Sequence, residues 1–359
     1  MGQRQRSSAY LVAFLAATMA SVPVAPAAHA DLDDLLQPVL DAVVHIGPGA
    51  AAGWPVTAEP AAAPLGGLPP DSVPLEVRGG TDPVVALTVN GGHRIEAVVD
   101  TGSEALAVPW YYLGLASLPW PTGFGVAGYS GGLDYLYAVA AVPVDFGDGI
   151  VTAPTDVHVV LLAWPDSLQN IFDPTYWSLE AYQKQSDAEA IMGLGQNATD
   201  PPGTRPITMA LPGELSQGVL INQPGGYLQF GPDPLDPATA ITLSGAPYSL
   251  VLVSINGAQP QPVTAAFDTG GLYGSIPSAL VDPGLTGGQL PPGTVVSVYT
   301  SGSDPILLYS YTTTETNTLG VDPTDPTMNT GDIPFWQQPV YISNSPVGVG
   351  MTIFGYLPR

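Results

Sequence analysis

The chain has 359 residues, 45% hydrophobic and only 11% charged, and its 31 acidic side chains outnumber 7 Lys and Arg, a formal net charge of −24 at pH 7. So acidic a chain repels polyanions, which argues against nucleic acid and anionic lipid as partners. With Cys 0, disulfides, thiolate metal sites and a lipidated N-terminal cysteine are excluded.

Residues 1–30 begin with the basic MGQRQRSS, pass through the apolar AYLVAFLAATMASV and end on the small residues of AAHA. The apolar part is short for a membrane span. That order predicts a secretory signal cut after Ala30, hence a protein secreted or held at the cell envelope. In residues 31–46, DLDDLLQPVLDAVVHI, Leu35, Leu36, Val39, Leu40, Val43 and Val44 recur at helical spacing behind an acidic first turn, which predicts a short amphipathic helix. From Gly47 to about Pro74 the chain is mostly Ala, Pro and Gly with almost no periodicity, and reads as a linker, tether or pro-segment.

From residue 75 the pattern is that of strands. Gly 42 and Pro 40 favour short strands joined by turns over long helices. VVALTVN and HRIEAVVD flank Asn90-Gly91, a hairpin signal. SLEAYQKQSDAEAI, residues 178–191, predicts one helical interruption. The hairpin plan then returns: SLVLVSIN runs into Gly257 and QPVTAAFD comes back. Each copy ends in Asp-Thr-Gly, in IEAVVDTGSEALAVP up to Pro109 and VTAAFDTGGLYGSIP up to Pro277. The threonines of the two triplets, Thr101 and Thr269, lie 168 positions apart. Such a duplication predicts two homologous lobes, residues 75–235 and 236–359.

An Asp at the end of a buried apolar strand is costly unless hydrogen-bonded. The Gly after Thr lets the backbone turn its N–H groups toward the carboxylate, and the Thr hydroxyl can brace a neighbouring loop. Two such loops face to face bring two carboxyls together. Both cannot ionise at close range, so the pair shares one proton. One carboxylate can then take a proton from water while the other carboxyl donates to the carbonyl under attack. The pair needs no metal and no cofactor. Other machinery finds little support: there is no His-Glu-x-x-His, and His93 and His158 read as a surface and a strand residue.

At these residues the chain resembles the bilobal, pepsin-like aspartic proteases over roughly residues 75–359. The resemblance implies an all-β fold, two β-barrel-like lobes around a central active-site cleft with few short helices. It implies that Asp100 and Asp268 are the catalytic pair, that Thr101 and Thr269 cross-brace the loops, that Gly102 and Gly270 present backbone N–H groups, and that Ser103 hydrogen-bonds the outer oxygen of Asp100. GYSGGLDYLYAVAAVPVDFG looks like the family's hairpin flap, which makes Tyr129 the flap residue. The family's Trp partner would fall at Ala107, so Trp110 is the expected substitute. AIMGLG (Ile191, Met192, Gly193) and TIFGY (Ile353, Phe354, Gly355) match the hydrophobic-hydrophobic-Gly segments behind the two loops, and GGYLQFG, residues 225–231, is similar to the segment that closes the first lobe.

Two departures stand out. Gly271 replaces a usual hydroxyl, so Asp268 is expected to lose one support. With the second segment placed at Gly355, the usual helix and final strands after it are expected to be missing. A narrower resemblance is to the mycobacterial aspartic proteases of the PE cleavage protein A type. It implies an endopeptidase acting on protein or peptide substrates, PE-type or cell-envelope proteins among them, and expected to be a monomer. Those proteases carry an N-terminal PE domain where this chain has the signal that predicts secretion, so the export route, and with it the substrate, is expected to differ. The competing reading is a catalytically inactive protease-fold protein that binds peptides or acts as an inhibitor.

Overall fold

The computed structural model describes residues 67–198, 205–281, 285, 287–345 and 348–355. The expected signal, the helix at 31–46 and most of the linker lie outside these residues. Short alternating strands dominate, as in Asp82–Val89 and Arg94–Asp100, joined through Asn90 and Gly91 at φ 53° and 66°. Both sit in the left-handed region that a tight two-residue hairpin turn requires.

Among the described residues the strands form three sheets. In the nine-stranded sheet, Asp82–Val89 and Arg94–Asp100 pair antiparallel and the chain moves on to Leu106–Pro109. Ala190–Gly193 returns much later to lie parallel to Arg94–Asp100 and antiparallel to Leu106–Pro109. The eight-stranded sheet repeats the plan. Tyr248–Ile255 and Gln261–Ala266 pair antiparallel, Ser275–Pro277 follows, and Met328–Asn329 returns parallel to the one and antiparallel to the other. These are the two β-rich lobes that the duplication predicts. A six-stranded sheet joins them, in the order Ser72–Pro74, Tyr227–Phe230, Gly218–Asn222, Val340–Ser343, Met351–Phe354, Ile241–Ser244. Its strands come from both halves of the chain, and Phe267 of the second lobe packs edge-on against Phe354 of this sheet at 5.0 Å.

Several expectations change. Ser72–Pro74, inside the expected linker, is a strand because its backbone pairs with Tyr227–Phe230. The helix expected over 178–191 is only Leu179–Tyr182: Ser178 caps it through the Ala181 N–H, Asp187 takes φ 53°, and the sheet claims Ala190 onward. The segment behind the second loop is not Ile353-Phe354-Gly355. Ile353 and Phe354 belong to the six-stranded sheet, paired with Val340–Ser343 and Ile241–Ser244. Met328–Asn329 and the following Thr330-Gly331 take that place. The elements expected to be missing therefore follow Gly331: a helix, Ile333–Gln337, and the strands Val340–Ser343 and Met351–Phe354.

Candidate active site

Asp100 is the last residue of Arg94–Asp100 and is 7% exposed, while Asp268 lies just past Gln261–Ala266 and is half-buried. The two fully buried threonines bind the loops to each other. Thr101 N–H donates to Thr269 Oγ1 at 3.0 Å and Thr269 N–H to Thr101 Oγ1 at 2.9 Å. Each hydroxyl donates onward across the lobe boundary, Thr101 to the Phe267 carbonyl and Thr269 to the Val99 carbonyl, both at 2.6 Å. Four buried hydrogen bonds in a symmetric exchange fix the relative position of the two aspartates.

The glycines let the loops close on the carboxyls. Gly102 N–H donates to Asp100 Oδ1 at 2.8 Å and Gly270 N–H to Asp268 Oδ1 at 2.9 Å. A Cβ on Gly102 would lie 2.5 Å from Asp268 Oδ1, and one on Gly270 would lie 2.5 Å from Asp100 Oδ1. No side chain fits at either position. Burial holds the Asp100 carboxyl well above the usual carboxylate range, and the charge of Asp268 and a hydrogen bond with it add to this, against the donors Ser103 and Gly102. Such a pair carries one proton between its two members over a range of pH.

The outer oxygens are supported unequally. Ser103 Oγ donates to Asp100 Oδ2 at 2.7 Å. The support that Asp268 was expected to lose at Gly271 comes instead from another strand: Asn329 Nδ2 donates to Asp268 Oδ2 at 2.6 Å. The sheet register shows how it gets there. Ala190 faces Ala97, and Met328 faces Ala265, the equivalent residue of the second lobe. Asn329 thus stands where the first lobe has Ile191, and Gly331 where it has Gly193. The second segment reads Asn-Thr-Gly, without the hydrophobic pair that a sequence search looks for. The missing hydroxyl at Gly271 was the sequence signal that a donor must come from elsewhere.

The hairpin Gly123–Tyr129 with Leu133–Val142 turns at residues 130–132, with Tyr129 at its tip. Tyr129 stacks on Tyr135 at 5.5 Å and on Tyr182 at 6.0 Å. Trp110 sits elsewhere: it packs against the main core and its ring meets Tyr111, whereas Tyr129 joins a separate cluster with Ala107, Leu133 and Ile191. The aromatic ring brought to Tyr129 from outside the hairpin is therefore Tyr182, not Trp110. Its hydroxyl lies under the hairpin tip, where a Cβ on Gly131 would come within 2.1 Å. Burial raises the Tyr182 hydroxyl above its usual range, and the charges of Asp100 and Asp268 add to this, so it lies within electrostatic reach of the pair. Among the described residues no cluster of three His, Asp or Glu side chains is placed to hold a metal ion.

A family model described as the PE-PGRS C-terminal aspartyl peptidase-like domain matches residues 71–352. The chain is 43% identical over 298 residues to PE cleavage protein A of Mycobacterium tuberculosis and 41% identical over 295 residues to PE cleavage protein A of Mycobacterium marinum. These alignments take in 79% of this chain and 52% of each relative. The chain therefore spans about half the length of the curated relatives it matches.

Proposed function

The chain belongs to the PE-PGRS C-terminal aspartyl peptidase-like family, and on that premise we propose that it is an exported, monomeric aspartic endopeptidase whose substrates are proteins, PE-type or other cell-envelope proteins among them. The observation that carries this reading is the pair Asp100 and Asp268, held on two loops that exchange threonine hydrogen bonds across the lobes.

In the reaction, water adds directly to a peptide carbonyl. The carboxylate takes a water proton and the carboxylic acid gives its proton to the carbonyl oxygen, leaving a neutral tetrahedral diol. Collapse returns a hydroxyl proton to the acid and passes the other proton to the departing nitrogen. No acyl-enzyme forms. An extended peptide would lie under the hairpin and bond to it in the manner of a strand, with Tyr129 and Tyr182 favouring apolar side chains beside the cut.

The name PE cleavage protein A, carried by both relatives, supports PE-type proteins as the substrate class. Residues 1–30 support export. The inactive, peptide-binding reading rested on Gly271 and on absent closing elements, and Asn329 and Ile333–Gln337 remove both grounds. The test is incubation of the purified chain with an unfolded protein and with a PE-type protein, new termini being mapped by mass spectrometry. Internal cuts beside apolar residues are expected. Intact substrates, with a folded enzyme by circular dichroism, would return the binding reading.

A further inference from the structure

We infer that Asn329 is a positioning residue that decides which aspartate carries the shared proton: its amide keeps Asp268 as the water-activating carboxylate and leaves the proton on Asp100. The inference rests on the two-aspartate reading above.

The argument begins with the orientation of the amide. Asn329 Oδ1 accepts the Gly331 N–H at 2.8 Å. A backbone N–H can only donate, so that atom is the amide oxygen, and the NH2 group is the one facing Asp268 Oδ2 at 2.6 Å. An NH2 group donates and never accepts. A proton on Asp268 Oδ2 would meet another hydrogen, whereas a charged oxygen there gains a strong hydrogen bond. Ser103 on the other side is not so restricted. Its hydroxyl at 2.7 Å from Asp100 Oδ2 can donate to a carboxylate or rotate and accept from a carboxylic acid. Asp100 is also the more buried of the two, and the charge belongs on the better solvated carboxyl.

Gly271 is the complement of this arrangement. A Cβ there would lie 2.4 Å from Asn329 Oδ1 and 2.8 Å from Asp268 Oδ2, so a side chain on the second loop and the amide from the returning strand exclude each other. The other titratable groups that reach the pair are Tyr182, whose hydroxyl burial keeps neutral, and Asp332, which follows Gly331. Burial holds the Asp332 carboxyl well above the usual carboxylate range, with Asp82 beyond it. Neither supplies a competing cation.

The experiment is the pH profile of kcat/KM on a peptide substrate for the parent, Asn329→Ala and Ser103→Ala. Asn329→Ala is expected to move the acid limb up by about one pH unit, the size of one hydrogen bond to a charged group, and to leave the alkaline limb in place. Ser103→Ala is expected to move only the alkaline limb. The double variant Gly271→Ser with Asn329→Gly returns a hydroxyl donor to the second loop and is expected to restore the acid limb. An acid limb that stays put in Asn329→Ala, whatever happens to the rate, overturns the inference. If the parent cleaves nothing, the protease reading fails by itself. Carboxyl-carbon titration by NMR then still decides the proton's place: Asp100 is expected to release its proton last, and the opposite order overturns the inference.

Discussion

The threonine exchange makes a quantitative claim about single residues. Removing the Thr269 hydroxyl strands the Thr101 N–H and the Val99 carbonyl in a buried site, and removing the Thr101 hydroxyl strands Thr269 N–H and the Phe267 carbonyl. Thr101→Val and Thr269→Val should each lower stability by about 1–3 kcal/mol. Because the two share bonds, the double variant should lose less than the sum. Urea unfolding checks both statements, and strict additivity would mean that the bonds are not coupled. Gly102→Ala should abolish cleavage with the fold retained, since its Cβ meets the Asp268 carboxyl at 2.5 Å. Asp100, Thr101, Gly102 and Ser103, with Asp268 to Gly270, are legible in the sequence because each acts within a contiguous triplet or its neighbour. Asn329 is not legible. It reaches Asp268 across 61 positions of chain, and its strand carries a polar residue where the first lobe carries Ile191.

The hairpin Gly123–Tyr129 with Leu133–Val142 is an element whose tip is supported from outside its own two strands. Besides pairing with Thr155–Pro165, its tip is held by the Asp166 N–H, which donates to the Gly132 carbonyl at 3.0 Å, and by the ring of Tyr182. Tyr182→Ala should therefore raise KM several-fold and speed amide exchange at residues 123–133, whereas Tyr182→Phe should keep the stack and most of the protection. Equal exchange in the parent and Tyr182→Ala would show that the stack does not hold the hairpin. Elements were legible where local chemistry decides them. Asn90-Gly91 marks its turn and Ser178 marks its helix start. The end of that helix was not legible, because the sheet, rather than helix propensity, claims Ala190–Gly193. Ser72–Pro74 was missed for the same reason, since only its partner Tyr227–Phe230 makes it a strand.

At the scale of the whole molecule, acid acts on stability through opposing groups. His158 is fully buried in Thr155–Pro165, stacked on Tyr137 at 3.7 Å, and burial lowers it to about 4. Between its ordinary value near 6.5 and about 4 the unfolded chain takes up this proton and the folded chain does not. Stability is thus lost as pH falls through that window, by about 3 kcal/mol. Asp82 and Asp332 are raised by burial and act the other way, binding protons more readily when folded. His158→Phe should remove the loss, so that parent and variant diverge between pH 6.5 and 4 in urea unfolding. Parallel curves would contradict the assignment. The duplicated lobes were legible from the repeated hairpin, since each copy has its own turn and triplet. The joining six-stranded sheet was not, because its strands are drawn from scattered stretches of both halves, and Ile353-Phe354 there imitates the motif that Met328–Asn329 replaces.

The central claim is that Asp100 and Asp268 work as one unit, and cleavage of an unfolded protein from pH 3 to 7 by the parent, Asp100→Asn and Asp268→Asn tests it most directly. The expected result is a bell-shaped profile for the parent and no cleavage by either variant, with all three folded by circular dichroism. Substantial cleavage by either variant would contradict the shared-proton pair.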